Sequence, residues 1–264
     1  MVEKVKLFVN DNKESKKFAT IAKRKLEAKG FNVTDGDDFR IAIAIGGDGG
    51  FIRMVAETGF NEELYYVGIN TGHLGFLQEI KKEDLDKFID ELIDNRFKIE
   101  KVGVQETYVN ANNKTYKHYS LNEIVIRDEN LDLVKTNIYV NGDLLEYFNG
   151  DGVLVSTSVG STAQNISYGG SIVFPDCSTL QITSMAPINT KRYSTLINSV
   201  IVPKDKVIKF KLENSKVRVT IDGIHHIYNN IDTITSTIGN RYINCLRFSH
   251  YNFPQKINEK LISR

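Results

Sequence analysis

The first third of the chain alternates between short apolar runs and segments with helical apolar spacing. Short runs rich in Val, Ile and aromatic residues predict strands, and they lie at 6–9, 31–33, 41–45 and 65–69. Apolar residues three and four positions apart predict helices, and these lie at 14–29, 51–57 and 82–94. Strands that alternate with helices imply a parallel sheet with right-handed crossovers, in which ligands bind beyond the carboxyl ends of the strands.

After about residue 98, apolar and polar residues alternate with the period of two that half-buried strands show. Asn141-Gly142 stands between two such runs and predicts a hairpin. The predicted fold is therefore an α/β N-terminal domain followed by a β-rich C-terminal domain. We place the domains at 1–98 and 99–248.

Composition excludes several classes of protein. The chain has 264 residues and a net charge of only +1, so nothing global suggests a nucleic-acid or membrane partner. No apolar stretch approaches the ~18 residues of a membrane span, and the N-terminus lacks the apolar core of a signal peptide. Cys177 and Cys245 are the only cysteines, which fits a reducing compartment. We expect a cytoplasmic protein.

The turn after the third predicted strand carries the most informative chemistry. Gly46, Gly47, Gly49 and Gly50 surround Asp48 directly before a predicted helix. Such a turn presents backbone N–H groups and the positive end of the helix dipole to an anion. A carboxylate there would repel a phosphate. Asp48 is therefore a candidate to accept a proton, bind a hydroxyl or hold a metal ion, and the alternative is a helix-capping aspartate.

Two further polar segments follow apolar runs. Residues 70–76 form a second glycine-rich turn, in which Phe76 offers a surface for stacking and His73 is a catalytic or a hydrogen-bonding structural residue. Asn122 and Glu123 begin a predicted strand. An amide can bind an adenine edge and a carboxylate can bind a ribose diol, although polar residues at the start of a strand are also ordinary.

Three motifs lie in the β-rich part. Residues 149–152 precede an apolar run, and residues 157–165 place small hydroxyl side chains around Gly160, as in a turn that begins a helix. Residues 220–223 end a predicted strand. Its Asp-Gly pair is also typical of a plain hairpin turn.

Together, in this order, the motifs resemble the NAD kinase family of Gram-positive bacteria across nearly the whole chain. The family pattern is GGDG, N-T-G-x-L-G-F, N-E, G-D-G, T-x-x-G-S-T-A and T-I-D-G. A GGDG turn alone also fits diacylglycerol-type lipid kinases and phosphofructokinases. A kinase of a lipid or sugar phosphate therefore remains an alternative, as does a non-catalytic dinucleotide sensor.

The resemblance implies a reaction and an assembly. The reaction is transfer of the γ-phosphoryl group of ATP, or of polyphosphate, to the 2′-hydroxyl of the adenosine ribose of NAD, with Mg²⁺ accompanying ATP. The C-terminal domain is expected to be β-sandwich-like, with the tail 249–264 packed back on the N-terminal domain. The protein is expected to form a homo-oligomer, a tetramer or dimer.

The resemblance also implies roles for individual residues. Asp48 would be the general base and Asp222 an auxiliary catalytic residue near the ribose, whereas no residue is implied to bind a metal. Ala186 and Ile188 match a segment that reaches a neighbouring subunit's site. The complete set implied to bind NAD or the phosphoryl donor is Gly46, Gly47, Gly49, Gly50, Phe76, Asn122, Glu123, Asn149, Asp151, Thr162, Ala163, Gln164, Asn165, Ser167, Ala186 and Ile188.

Four positions depart from the family pattern. The family usually has Thr at position 50, and Gly50 lacks that hydroxyl. Asn149 stands where a basic residue is common, Val159 replaces a small polar residue, and Gln164 stands where Tyr is frequent. These departures bear on the strength of NAD binding and on the choice between ATP and polyphosphate.

Overall fold

The computed structural model describes residues 3–72, 75–189, 194–249 and 251–263. In chain order, the strands are β1 (Lys4–Val9), β2 (Asn32–Val33), β3 (Ile41–Gly46), β4 (Tyr65–Asn70), β5 (Ile80–Lys81), β6 (Phe97–Ala111), β7 (Lys114–Ser120), β8 (Glu123–Asp128), β9 (Val134–Val140), β10 (Asp143–Thr157), β11 (Thr179–Pro187), β12 (Val200–Pro203), β13 (Ile208–Leu212), β14 (Lys216–Ile221), β15 (Ile224–Asn229) and β16 (Ile231–Phe248). The helices are α1 (Lys13–Ala28), α2 (Asp48–Glu57), α3 (Leu85–Ile93), α4 (Gln164–Ser167) and α5 (Phe253–Ile257), with 3₁₀ turns at Lys82–Asp84 and Val159–Thr162 and a π-helical turn at Asn258–Ile262.

The chain divides into two compact units. The first contains Met1–Val102 and Tyr242–Arg264, and the second contains Gly103–Arg241. These divisions fall inside β6 and β16, two long strands whose lengths the residue pattern does not reveal. The boundaries that we drew on the sequence at 98/99 and 248/249 stay predictions.

The sheet of the first unit is parallel, as the alternation of strands and helices predicted. Strands β2, β1, β3 and β4 pair in that spatial order, and β5 and the end of β16 both pair with β4, also in parallel. All six residues of β3 are buried, which explains why its sequence is an unbroken apolar run. Ile43 and Ile45 pack with α1 and α3 in one core. The carboxyl ends of β3 and β4 carry the two glycine-rich turns.

The second unit is antiparallel and is organised around β10. The first part of β10 pairs with β9, and the second part pairs with β8 and β11. The pairing then extends from β8 to β14 and β15, and from β9 to β13 and β16. The inward side chains of these strands form one apolar core, which includes Phe148, Val155 and Phe210. The predicted α/β domain followed by a β-rich domain is confirmed.

Two hairpin turns in this unit have the geometry that their sequences predict. Asn141 and Gly142 have φ of 52° and 92°, and Asp222 and Gly223 have φ of 46° and 86°. Positive φ at both central residues is the type I′ turn that matches the twist of antiparallel strands. The backbone at Asp222-Gly223 is therefore a hairpin turn between β14 and β15, and the role of its side chain is described below.

Within the described residues, no helix is long and apolar enough to cross a membrane. Cys177 is exposed and Cys245 is buried, and both are free thiols.

A buried charged cluster joins β16 to the rest of the first unit. The Arg247 guanidinium pairs with the carboxylates of Glu79 and Glu100, and Glu79 also accepts a hydrogen bond from the backbone N–H of Phe248. The Glu79 side chain is 1% exposed. Burial raises the pKa of the Glu79 carboxyl, and the Arg247 charge opposes that shift. Arg247 therefore stabilises the charged form of the buried Glu79 carboxyl.

We expect Arg247→Met to lower the free energy of unfolding by about 3 kcal/mol, because it leaves two carboxylates without their buried partner. Urea denaturation followed by circular dichroism measures this change. The matched control is Lys25→Met, which breaks the exposed pair of Lys25 with Asp86 and should change stability by less than about 1 kcal/mol. Equal effects of the two substitutions would show that the buried cluster contributes no more than a surface pair.

Candidate active site

The glycine-rich turn between β3 and α2 holds Asp48 by contacts outside its own helix. The N-cap residue of α2 is Gly47, and no side chain caps this helix. The Oδ2 atom of Asp48 accepts a hydrogen bond from the Phe76 N–H at 2.8 Å, and Oδ1 accepts from the N–H groups of Leu77 at 3.0 Å and Gln78 at 3.2 Å. The interpretation of Asp48 as a helix cap is therefore wrong.

The Asp48 carboxylate is partly exposed and has hydrogen-bonding capacity that its amide donors do not use. Its side chain is 29% exposed, and a Cβ at Gly75 would lie 1.9 Å from Oδ1, so only glycine fits beside it. Oδ2 takes one of the three amide hydrogen bonds, and a carboxylate oxygen can accept two. The Lys260 ammonium is 3.9 Å from Oδ2. The arrangement can accept a proton or hydrogen bond from a hydroxyl group that approaches Oδ2.

The glycines of this turn have different surroundings. A Cβ at Gly47 or Gly49 would meet nothing within 4 Å, so ligands can approach their backbone. Gly46 has φ of +154°, and a Cβ there would lie 2.3 Å from Asn10 Nδ2. A Cβ at Gly50 would lie 2.4 Å from Asn10 Oδ1. With the Asn10 side chain in this position, a side chain larger than that of glycine does not fit at position 50.

An open cleft of about 980 Å³ lies beside the turn in the first unit. Its lining includes Gly50, Asn10 and Phe8, the cations Lys6, Arg40 and Arg53, and the acids Asp37, Asp38, Glu57 and Glu63. The residue pattern did not indicate this cleft as a candidate site. The available signal was the alternation of Lys6, Phe8 and Asn10 along β1, which places their side chains on one face.

The remaining predicted residue of the first unit, Phe76, is half-buried. Its ring lies 6.1 Å from that of Phe253, and the Lys260 ammonium is 4.6 Å from the ring centroid. His73 lies outside the described residues.

In the second unit, Asp222 holds the start of β8 in the same way that Asp48 holds residues 76–78. Its carboxylate accepts hydrogen bonds from the N–H groups of Leu121 at 2.6 Å, Asn122 at 2.8 Å and Glu123 at 3.1 Å. Burial raises the pKa of the Asp222 carboxyl, and the three amides oppose that shift. Asp222 therefore fixes the backbone from which the Asn122 and Glu123 side chains project.

Asn122 and Glu123 form the strongest candidate ligand site in this unit. They are 8% and 7% exposed, and among the described residues no hydrogen-bond partner reaches Asn122 Oδ1 or Glu123 Oε2. Buried polar atoms are normally paired, so two adjacent orphans indicate a place for a polar ligand. Burial raises the pKa of Glu123 to about 8, and the Asp222 charge adds to the shift.

The segment after β10 builds one wall beside this pair. Thr157 Oγ1 donates to the Leu121 carbonyl at 2.6 Å, and a Cβ at Gly160 would lie 2.0 Å from the Asn122 carbonyl oxygen. The Gln164 backbone N–H donates to the Glu123 carboxylate. The segment is a 3₁₀ turn followed by a four-residue α4, rather than a longer helix.

The predicted pocket residues of this segment divide into two groups. Asn165 is fully buried and bonded within the protein: its Nδ2 donates to the Ser161 carbonyl and its Oδ1 accepts from Thr183. Asn165 therefore makes structural contacts within the protein, and none of these contacts points to a ligand. Thr162, Ala163 and Gln164 are half-buried and Ser167 is exposed.

Four further predicted residues lie together at the other end of the β10–β11 pair. Asp151 and Ala186 are exposed, and the Ile188 N–H donates to the Asn149 carbonyl at 2.8 Å. Asp151 and Thr157 are six positions apart on one strand, which corresponds to roughly 20 Å. The structure therefore does not bring Asn149, Asp151, Ala186 and Ile188 to the Asn122–Glu123 pair of the same chain.

No group of three His, Cys, Asp or Glu side chains within the described ranges is placed to hold a metal ion. The Asp48 carboxylate, with three amide donors on it, does not fit a metal cage of protein ligands. We assign no metal-binding residue.

Comparisons with known proteins agree with one another. The family model for the ATP-NAD kinase N-terminal domain matches residues 3–97, and that for the ATP-NAD kinase C-terminal domain matches residues 121–245. The NAD kinase of Finegoldia magna is 42% identical over 253 residues and covers 92% of each chain, and that of Leuconostoc mesenteroides is 33% identical over 267 residues and covers 98% of each.

Two solved structures show the same fold. Yeast NADH kinase complexed with NADH superposes with a TM-score of 0.88 at 21% identity, and the match covers 98% of this chain and 87% of that chain. An NAD kinase from Archaeoglobus fulgidus in complex with ATP superposes with a TM-score of 0.79 at 19% identity, and covers 100% of both chains.

The raised pKa of Glu123 predicts a pH dependence of stability. The folded chain keeps the Glu123 proton up to about pH 8, whereas the unfolded chain releases it near the ordinary value of 4.5. The stabilisation is therefore complete below pH 4.5 and is lost as pH rises through 8. We expect the free energy of unfolding of wild type to fall more steeply than that of Glu123→Gln between pH 5 and 8.

Urea denaturation at a series of pH values measures this difference. Substitution of the exposed Glu27 by Gln is the control, and its pH dependence should match wild type. Parallel curves for wild type and Glu123→Gln would contradict a raised pKa at this position.

The contact of Gly50 with Asn10 predicts an energetic coupling. Gly50→Thr forces the Asn10 side chain to move, and we expect it to lower the free energy of unfolding by about 1–3 kcal/mol. Asn10→Ala opens the space, so the double variant should be more stable than the sum of the single effects predicts, by about 0.5–3 kcal/mol. Gly49→Thr, where a Cβ meets open space, is the control. Additive effects of Asn10→Ala and Gly50→Thr would exclude the coupling.

Proposed function

This chain belongs to the NAD kinase family, and we propose that Asp48 is the general base of its phosphoryl transfer. Family models that match 3–97 and 121–245, and a relative 42% identical over 92% of the chain, establish the family. The protein is an NAD kinase, an enzyme that phosphorylates NAD with ATP. The resemblance to Gram-positive NAD kinases is confirmed.

The proposed role of Asp48 is to take the proton of the accepting ribose 2′-hydroxyl. That hydroxyl is a poor nucleophile until a base within hydrogen-bond reach removes its proton as the phosphoryl group arrives. The amides of residues 76–78 hold the carboxylate in a fixed orientation, and Oδ2 keeps an accepting position for the hydroxyl. The N-terminus of α2, which no side chain caps, would stabilise negative charge on the transferring group.

The two orphan oxygens at the start of β8 support a binding role for Asn122 and Glu123. We assign the adenosine of NAD to this pair. The Asn122 amide would bind the adenine edge, and the Glu123 carboxyl group would exchange hydrogen bonds with ribose hydroxyls. The unpaired Asn122 Oδ1 and Glu123 Oε2 atoms are the main support for an NAD site here. Burying a polar atom without a hydrogen-bond partner is costly, and a bound ligand would supply the partner. The wall of Thr162, Ala163 and Gln164 would contact the same ligand.

The role proposed for Asp222 is positioning rather than proton transfer. Its carboxylate accepts three backbone hydrogen bonds from residues 121–123 and is buried. It would orient the adenosine-binding pair and keep Glu123 partly protonated near neutral pH.

The cleft beside Gly50 is the proposed site of the phosphoryl donor. Lys6, Arg40 and Arg53 line the cleft together with the carboxylates of Asp37, Asp38, Glu57 and Glu63. Because Lys6 pairs with Asp37, Arg53 is the cation that we propose to meet the donor phosphates, and Phe8 offers apolar surface for a base. ATP would use both features, whereas a polyphosphate chain would use the cation alone. Mg²⁺ would arrive with ATP, since Mg²⁺ is commonly held by substrate phosphates.

We further propose a cytoplasmic homo-oligomer, a tetramer or a dimer, in which a second copy completes the NAD site. Asn149, Asp151, Ala186 and Ile188 lie roughly 20 Å along β10 from the adenosine-binding pair, so their expected contacts with NAD fit a site on a neighbouring copy. Exposed apolar side chains on β10 and β15, including Tyr147 at 65%, are suited to burial between subunits.

We expect Asp48→Asn to lower kcat by several orders of magnitude, because the substitution removes the base. NAD affinity should be largely unchanged, because NAD binding is assigned to the Asn122–Glu123 pair. Turnover is measured as NADP formation with Mg²⁺ and either ATP or polyphosphate, and affinity by calorimetry with NAD. The exposed Asp86→Asn is the control and should match wild type. Wild-type turnover in Asp48→Asn would overturn the assignment of the base.

A further inference from the structure

The segment after β16 contains a buried lysine that contacts residues 76–78, the loop whose amides bind Asp48. Lys256, on α5, is only 6% exposed. Its ammonium donates to the carbonyl oxygens of Phe76 at 3.1 Å and Gln78 at 3.0 Å. These are two of the residues whose N–H groups bind the Asp48 carboxylate.

Lys256 thus binds the carbonyl groups, and Asp48 the amide groups, of one short stretch of backbone. A positive charge on a carbonyl oxygen polarises the peptide groups of the loop, and chains of hydrogen bonds strengthen one another in this way. The Lys256 ammonium also fixes the position of residues 76–78 relative to α5. Both effects act on the orientation and charge of the Asp48 carboxylate without a direct contact.

A purely structural role does not explain why a charged residue is buried at position 256. Burial lowers the pKa of its ammonium to about 8, and the nearby Arg247 charge adds to that shift, whereas Glu79 and Asp48 oppose it. The Tyr251 ring lies 4.9 Å from the ammonium, and Lys260 adds a further positive charge nearby. An apolar side chain would pack α5 onto the loop without burying a charge beside a second cation. The charge is therefore best explained by what it does to the loop.

We propose that Lys256 is a positioning residue for the phosphoryl transfer, which holds and polarises the Phe76–Gln78 backbone so that its amides orient the Asp48 carboxylate. The inference rests on the proposed role of Asp48 as the base. It goes beyond that role by making the C-terminal helix α5 part of the catalytic apparatus. Lys256 itself touches no substrate.

The competing explanation is that Lys256 only attaches the C-terminal segment. The two explanations differ in what they predict for kinetics. Loss of a mere attachment would change stability and leave kcat of the folded enzyme unchanged. Loss of a positioning residue lowers kcat and leaves the KM for NAD nearly unchanged, because NAD binding is assigned to the Asn122–Glu123 pair, which the loss does not touch.

The decisive variant is Lys256→Met, which keeps the length of the side chain but removes the charge and both hydrogen bonds. We expect kcat to fall about 10- to 100-fold, the range for misplacement of a catalytic group, with KM for NAD within about twofold. Hydrogen–deuterium exchange of the peptide that spans residues 75–80 should become faster. A kcat within twofold of wild type in the folded variant would overturn the proposal.

The matched control lies on the same segment. Glu259→Gln breaks the contact of Glu259 with Lys81 at 3.8 Å, which attaches the segment elsewhere and does not involve residues 76–78. Its kcat and the exchange of the 75–80 peptide should equal those of wild type. A loss of kcat in Glu259→Gln equal to that in Lys256→Met would show that attachment alone is responsible, and would overturn the proposal.

Lys256→Gln decides the question if Lys256→Met does not fold. Its amide keeps N–H donors for the carbonyl oxygens and lacks the charge, so we expect a smaller fall in kcat, about threefold or more, at unchanged KM. Wild-type kcat in Lys256→Gln would then overturn the proposal.

Measurement of Asp48→Asn alongside separates the two questions. An inactive Asp48→Asn with a fully active Lys256→Met overturns the inference about Lys256 alone. An active Asp48→Asn overturns the base on which the inference rests.

Discussion

The structure depends on one interaction that it uses twice: an aspartate carboxylate that accepts hydrogen bonds from three consecutive backbone amides. Asp48 binds residues 76–78, and Asp222 binds residues 121–123. Each hydrogen bond to a charged acceptor is stronger than one between neutral groups. Three of them fix both the carboxylate and the backbone that donates to it. In each unit, a segment with candidate ligand-binding residues is thereby held by an aspartate from a different part of the chain.

This interaction restricts the residues around it. Close approach of a carboxylate to a loop leaves no room for a Cβ at Gly75, and the packing of residues 157–160 onto Asn122 leaves none at Gly160. Several glycines of the motifs are thus explained by contacts within the protein rather than by a ligand. The glycines with open space, Gly47 and Gly49, are the ones that remain for an anion.

The parts of the structure that the sequence predicted are those that depend on local pattern. The buried run 41–45, the helices at 14–29 and 51–57 and both Asx-Gly hairpins follow from periodicity and turn chemistry, and the motif order indicated the family. The contacts that organise the site are not local. Asp48 and its amide donors are separated by about thirty positions, and Lys256 lies 178 residues from Gln78. No residue pattern reports such pairs, and the lengths of β6 and β16 are likewise set by tertiary pairing.

Gly50 shows how a departure from a family pattern can be understood from its neighbour. By the family pattern, this position lacks the hydroxyl group of a threonine. In the structure, the Asn10 side chain occupies the space that any Cβ at position 50 would need, and it lines the same cleft as Gly50. The turn therefore keeps a polar side chain beside its amides, supplied by the end of β1 instead of by α2. An amide offers both a donor and an acceptor where a hydroxyl would have stood, so the departure alters the geometry of the cleft without removing its polarity.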